Sequence, residues 1–143
     1  IRVRTFAMHP MSSMQKMIED GTFSPMTDEE VIREIRLLLE NLNEMHSYFS
    51  CGDHGLNLLM NLNGYLDENK DRMLKDIDDY LSLSKEQKQA FSLLKRSSYG
   101  NVPIDVVRNE ENMKRIRPEL ERIGTTEEGG IDGYLHRLLC NLA

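Results

Sequence analysis

Tryptophan is missing from this sequence, cysteine occurs twice and proline four times in 143 residues. The cysteines, Cys51 and Cys140, lie far apart in the chain and supply neither a disulfide framework nor a complete metal site. They suit a reducing compartment, and the cytoplasm is the expected location. No stretch approaches the roughly 20 apolar residues that cross a bilayer, and the opening residues do not read as a signal peptide, so no membrane role is expected. Basic charge is also short: 18 Lys and Arg stand against 24 Asp and Glu, for a formal charge of −6. The cations are interleaved with the acids and form no face that would neutralise phosphates, which argues against nucleic acid as a partner. Nucleophile motifs, glycine-rich phosphate loops and cysteine ligand triplets are lacking too.

What is present is the material of a helical core. Hydrophobic residues make up 39% and charged residues 29% of the chain, an ordinary globular balance that needs no disulfide at this length. Ile1 to Phe6 alternates in the manner of a strand, and such an edge requires backbone partners. This predicts that the chain begins inside, or at the last strand of, a sheet whose other strands lie upstream. His46 to Ser50 is the best partner strand within the chain. Ser12 or Ser13 is placed to cap a short helix that runs through Asp20 and stops at Gly21. Thr27 followed by Glu30 forms a capping box, and Val31, Ile32, Ile35, Leu38, Leu39 and Leu42 repeat at helical spacing behind it.

Further along, Asp53 is expected to cap a helix carrying Leu56, Leu59, Met60 and Leu62, ended by Gly64. Charged helices follow from about Glu68, from Ser84 and from about Asn109 to Ile123, with Lys95 and Arg96 placed where the helix dipole favours cations. The stretch from Gly100 to Pro103 breaks the pattern. Pro118 is expected to kink or split the helix that contains it. The last helix carries Ile131, Tyr134, Leu135, Leu138, Leu139 and Leu142 on one stripe. The fold class expected is mainly α, with one or two short N-terminal strands.

The densest polar group is Cys51-Gly52-Asp53-His54 with Asn57 close behind. Cys51 and His54 offer two ligands where a metal site requires three or four, so Asp53 as a helix cap and His54 in the first turn is the plainer reading. His9 is a residue type that can serve as acid or base, although a loop histidine beside a proline is more often simply solvated. His136 lies at the edge of the last apolar stripe. Adjacent carboxylate pairs such as Asp78-Asp79 and Glu110-Glu111 point about 100° apart on a helix and share no site.

Three stretches carry a resemblance. Arg4-Thr5-Phe6 through Gly21-Thr22-Phe23 to Pro25-Met26-Thr27-Asp28-Glu29-Glu30 gives a strand, a connection, a short helix and a capped long helix. Asp53-His54 with Asn57-Leu58-Leu59, then Asn63-Gly64-Tyr65-Leu66, Asn69-Lys70, Met73-Leu74 and Ile77-Asp78, gives a spaced motif. Phe91-Ser92-Leu93-Leu94-Lys95-Arg96 gives a third step. Together these resemble the region C-terminal to the core of a radical S-adenosylmethionine (SAM) oxidoreductase group, over residues 1 to about 100. Where many relatives carry Pro-Gly-Thr-x-Leu in the connection, this chain reads Pro10-Met11-Ser12-Ser13-Met14.

The resemblance implies a full-length enzyme whose upstream partial β/α barrel holds a 4Fe–4S cluster on a Cys-x3-Cys-x2-Cys loop and cleaves SAM there. None of those cysteines is in this chain, which by itself is expected to carry no cofactor. The resemblance further implies that residues 1–26 finish the barrel and its connection, and that residues 27–143 form a helical domain covering the missing upstream core. Asp53, His54, Asn57 and His9 are then the candidates for facing substrate. The alternative is a helical interaction or regulatory module with no link to radical chemistry.

Overall fold

A computed structural model describes residues 1–9, 12–43, 45–98 and 101–142; the connection at Pro10-Met11 and the break at Gly100 lie outside the described residues. The chain is mainly helical, with a small antiparallel sheet. Helix α1 spans Gln15–Glu19 and α2 Asp28–Asn41, strands β1 and β2 span Tyr48–Ser50 and Asn63–Tyr65, and α3 covers Leu66–Leu81. Then come α4 (Lys85–Ser98), the single turn α5 (Asp105–Arg108), α6 (Glu110–Thr126) and α7 (Gly130–Asn141).

The starts of α2, α4 and α6 are fixed by side chains that replace missing backbone partners. Thr27 Oγ1 accepts from the Glu30 N–H at 3.3 Å, while Glu30 Oε2 accepts from the Thr27 N–H at 2.7 Å, which completes the expected capping box. Ser84 and Gln87 repeat that exchange ahead of α4. Asn109 Oδ1 accepts from the Glu111 and Asn112 N–H groups and opens α6. Gly21 ends the α1 turn at φ 75°, a left-handed conformation that suits glycine.

Strands β1 and β2 pair antiparallel with Phe49 opposite Gly64. The opening segment lies on the other edge of β1, in parallel: Val3 N–H donates to Ser50 O at 3.0 Å and Ser50 N–H to Ile1 O at 2.9 Å. The expected pairing of the first residues with His46–Ser50 is therefore present, although only as a single bridge. Strand β2 was not foreseen, because Gly64 was assigned to a helix end; it has φ 143° and faces Asn69 so closely that a Cβ would lie 2.6 Å from that side chain.

The helix expected over residues 53–62 does not form. Its backbone is taken up by turns, because asparagines compete for the main chain. Asn63 Oδ1 accepts from the Cys51 and Gly52 N–H groups, and its Nδ2 donates to Met60 O. Leu58, Leu59 and Leu62 are all buried in this loop, without any helix to carry them.

The core joins Ile32, Ile35 and Leu39 of α2 to Met73, Ile77 and Tyr80 of α3, Phe91 of α4 and Ile123 of α6. Helix α2 packs on α3, while α4 packs on α5, α6 and α7. Leu38, expected inside, is 41% exposed and lies with Leu37 and Val3 along a shallow groove. Helix α6 passes Pro118 without being split. Because Pro118 is exposed, its replacement restores a helix hydrogen bond without disturbing the core. Pro118→Ala is expected to stabilise the chain by about 1–3 kcal/mol in urea unfolding; an unchanged or lowered midpoint would show that this position has its own reason for proline.

Candidate functional site

The loop between β1 and β2 brings together residues from distant parts of the sequence. Asn57, 2% exposed, uses its whole carboxamide. Its Oδ1 accepts from the Thr5 N–H at 2.6 Å and the Thr5 hydroxyl at 3.0 Å, and its Nδ2 donates to Val3 O and Cys51 O, both at 2.7 Å. The amide thus continues the ladder that β1 begins, bonding Val3 and Thr5 as a neighbouring strand would. This position holds the loop against the opening segment.

Asp53 pairs with Arg2 at 2.9 Å across the same seam, at side-chain exposures of 29% and 71%. It caps no helix. His54 is half-buried, with its carbonyl accepting from the Asn57 N–H, and its Nδ1 is buried without a hydrogen-bond partner. His9 is exposed on the connection toward α1, with its carbonyl accepting from Ser12 N–H. Asp53, His54 and Asn57 therefore share one loop, while His9 belongs to another segment.

The residue that locks this loop from behind is Arg96. It was expected as a cation at a helix end, but the side chain is 1% exposed and ion-paired to Asp28 Oδ1 at 2.5 Å. Its Nη1 also donates to the Leu56 carbonyl. Beside it, Lys95 is buried and its Nζ approaches Met60 Sδ at 2.8 Å; burial, with Arg96 next to it, pulls this ammonium below the usual lysine range. No local signal marks Arg96 as buried, since Ser92 one turn before it is itself polar and its burial shows only in the fold.

Cys51 has no reactive character. Burial pushes the Cys51 thiol up to about 12, leaving negligible thiolate at neutral pH. Cys140 lies 3.4 Å from His136 Nε2 and is also buried. Among the described residues no three His, Cys, Asp or Glu side chains converge on a metal-sized site, and no helix is long and apolar enough to cross a membrane.

A second concavity, of about 470 Å³, opens between the α1–α2 connection and the facing sides of α4 and α7. None of Asp53, His54, Asn57 or His9 lines it. Comparison with protein-family models, curated proteins and solved structures finds no match to the chain.

Replacing Asn57 with the near-isosteric Leu strips two donated and two accepted bonds and strands the Val3 and Cys51 carbonyls. Asn57→Leu is expected to cost about 3 kcal/mol in urea unfolding; a cost below about 1 kcal/mol would show that the carboxamide does not hold the seam. Breaking the inner lock should cost as much: Asp28→Asn, which leaves Arg96 buried without its anion, is expected to destabilise by about 3 kcal/mol and to speed proteolytic cleavage between Gly52 and Asn61. Slow cleavage in that variant would separate loop order from the ion pair.

Proposed function

We propose that this chain is the helical C-terminal region of a radical SAM iron–sulfur oxidoreductase, covering the barrel and shaping its substrate end. The observation that carries the reading is convergence. The three stretches on which the resemblance rests are remote in sequence yet meet at one place, through Thr5 to Asn57, Asp28 to Arg96, and Arg96 to Leu56. Residues that only packed a generic helical bundle would have no reason to meet in a buried polar network around one loop.

The surface beside that loop suits a covering role. Ile1 O and Val3 N–H face β1, so the N–H and C=O groups of Arg2 and Arg4 point to the opposite edge, where they take no partner among the described residues. An edge of this kind accepts another strand. In the groove beside Val3 run exposed apolar side chains, Leu37 at 60% and Leu38 at 41%, of the sort that a second body covers. A helical interaction module would use the same surface, and the exposed strip is what favours that second reading.

The chain's own residues do not fit the iron–sulfur cluster, since Cys51 and Cys140 are both buried thiols on separate elements. Cluster and SAM would belong to the upstream core, in a cytoplasmic enzyme. Asp53 and His54 are the residues proposed to face substrate, with Asn57 holding their loop in place.

The reading is tested first by the coding sequence upstream of Ile1: three cysteines spaced Cys-x3-Cys-x2-Cys support it, and their absence in a complete reading frame removes it. In the full-length enzyme, Asp53→Asn and His54→Ala should each lower substrate-coupled SAM cleavage by roughly tenfold or more. The stability of the chain should move by less than about 1 kcal/mol for Asp53→Asn, because the Arg2 pair is at the surface. Unchanged turnover in both variants would take these residues out of the site.

A further inference from the structure

The cleft between the α1–α2 connection, α4 and α7 has about 470 Å³ of space, within the ~300–1,000 Å³ typical of sites that enclose a small organic molecule. Its apolar surface comes from Ile18, Pro25 and Met26 on one side and Leu135 and Leu139 on the other. Helix α1, on the connection side, has no buried residue, and Met26 is 41% exposed. A wall of this kind adapts to what it meets.

The polar groups in the cleft are unequally satisfied. At the floor Tyr80 and Ser92 bond to one another. Lys88 is committed to Glu29 at 3.1 Å, and Arg33 holds the same carboxylate at 2.6 Å. Asp28 gives Oδ1 to Arg96, but Oδ2 takes no hydrogen bond or ion pair among the described residues, nor is it sealed inside the protein. Asp132, at the mouth, is bonded to the neutral Gln89 amide. His136 shares Nε2 with Cys140 Sγ at 3.4 Å, which leaves its other ring nitrogen for a ligand, and burial holds it below the usual histidine range, so it adds no positive charge near neutral pH. Lys85 is exposed, where its charge is largely solvated. The interior of the cleft thus combines an apolar enclosure with a carboxylate oxygen that lacks a donor, beside a neutral imidazole.

We propose that this cleft binds a small organic ammonium with an apolar body, a primary alkyl- or arylalkylamine, which donates to Asp28 Oδ2 and His136 and lays its hydrocarbon part against Leu135, Leu139 and Met26. A charge-assisted bond in a partly dry site supplies the preference for a cation over a neutral isostere. The proposal is argued from the chemistry of the cleft and does not rest on the radical SAM reading, although Asp28 also holds the Arg96 that fixes the β1–β2 loop.

The test is calorimetric titration of the 143-residue chain with phenethylamine, 2-phenylethanol and phenylacetate, which share a ring and differ in charge. Phenethylamine should bind one to one and at least about tenfold more tightly than the alcohol, with phenylacetate weakest. Asp28→Asn should abolish the preference for the amine. Because that variant also unpairs Arg96, two others keep the result readable: His136→Phe should weaken the amine by about threefold, and Met26→Trp, at an exposed position, should block all three probes. Equal affinity for amine and alcohol, tighter binding of phenylacetate, or no saturable binding of phenethylamine would each overturn the proposal.

Discussion

The Asp28–Arg96 ion pair is the constraint on which the rest of this structure depends. Taking a guanidinium out of water costs several kcal/mol, and that cost is offset only where its partners are well placed. Here one carboxylate and one main-chain carbonyl meet it, from the first turn of α2 and from Leu56 in the β1–β2 loop. Its Nε finds no partner, so the arrangement lacks the full satisfaction that would make it a simple stabiliser. Its effect is positional: α2, α4 and the loop cannot shift independently without leaving a buried charge alone.

That lock explains how a loop rich in asparagine and glycine becomes ordered without helix or strand. Arg96 holds it at Leu56, Asn57 ties it to Val3 and Thr5, and Asn63 gathers Cys51, Gly52 and Met60. Each fastening uses a planar side-chain amide or guanidinium in place of a peptide group. The buried leucines of the loop then complete the core from a segment with no periodicity of its own.

The parts of the fold that were legible beforehand were those determined locally. The box at Thr27 and Glu30, the cap at Ser84 and the glycine stop after α1 depend on residues three or four positions apart, and helical spacing displays them directly. The β1–β2 loop was misread for the opposite reason. Asp53 followed by leucines looks like a cap and a stripe, but the partners that decide its shape are Val3, Thr5 and Arg96, whose distance along the chain is invisible to a local pattern. Lys95 and Arg96 were misjudged similarly: a cation near a helix end fits the dipole whether it is in water or in the core, and only tertiary packing distinguishes the two.

The polar group of the β1–β2 loop was visible as a local cluster, though not the arrangement of its members. Asp53, His54 and Asn57 were singled out as a dense polar group, and the fold divides them by role: Asn57 is spent on structure, while Asp53 stays at the surface beside Arg2 and His54 keeps a ring nitrogen without a partner. The α4–α7 cleft left no such trace, since its lining comes from residues remote in sequence and ordinary one at a time. The two places nevertheless share an atom group. Asp28 gives one oxygen to the guanidinium that fixes the loop and lines the cleft with the same carboxylate. Any change in its charge or position made from the cleft side must therefore alter the energy of the Arg96 pair. By linkage, the reverse holds for any change in the loop that pulls on Leu56.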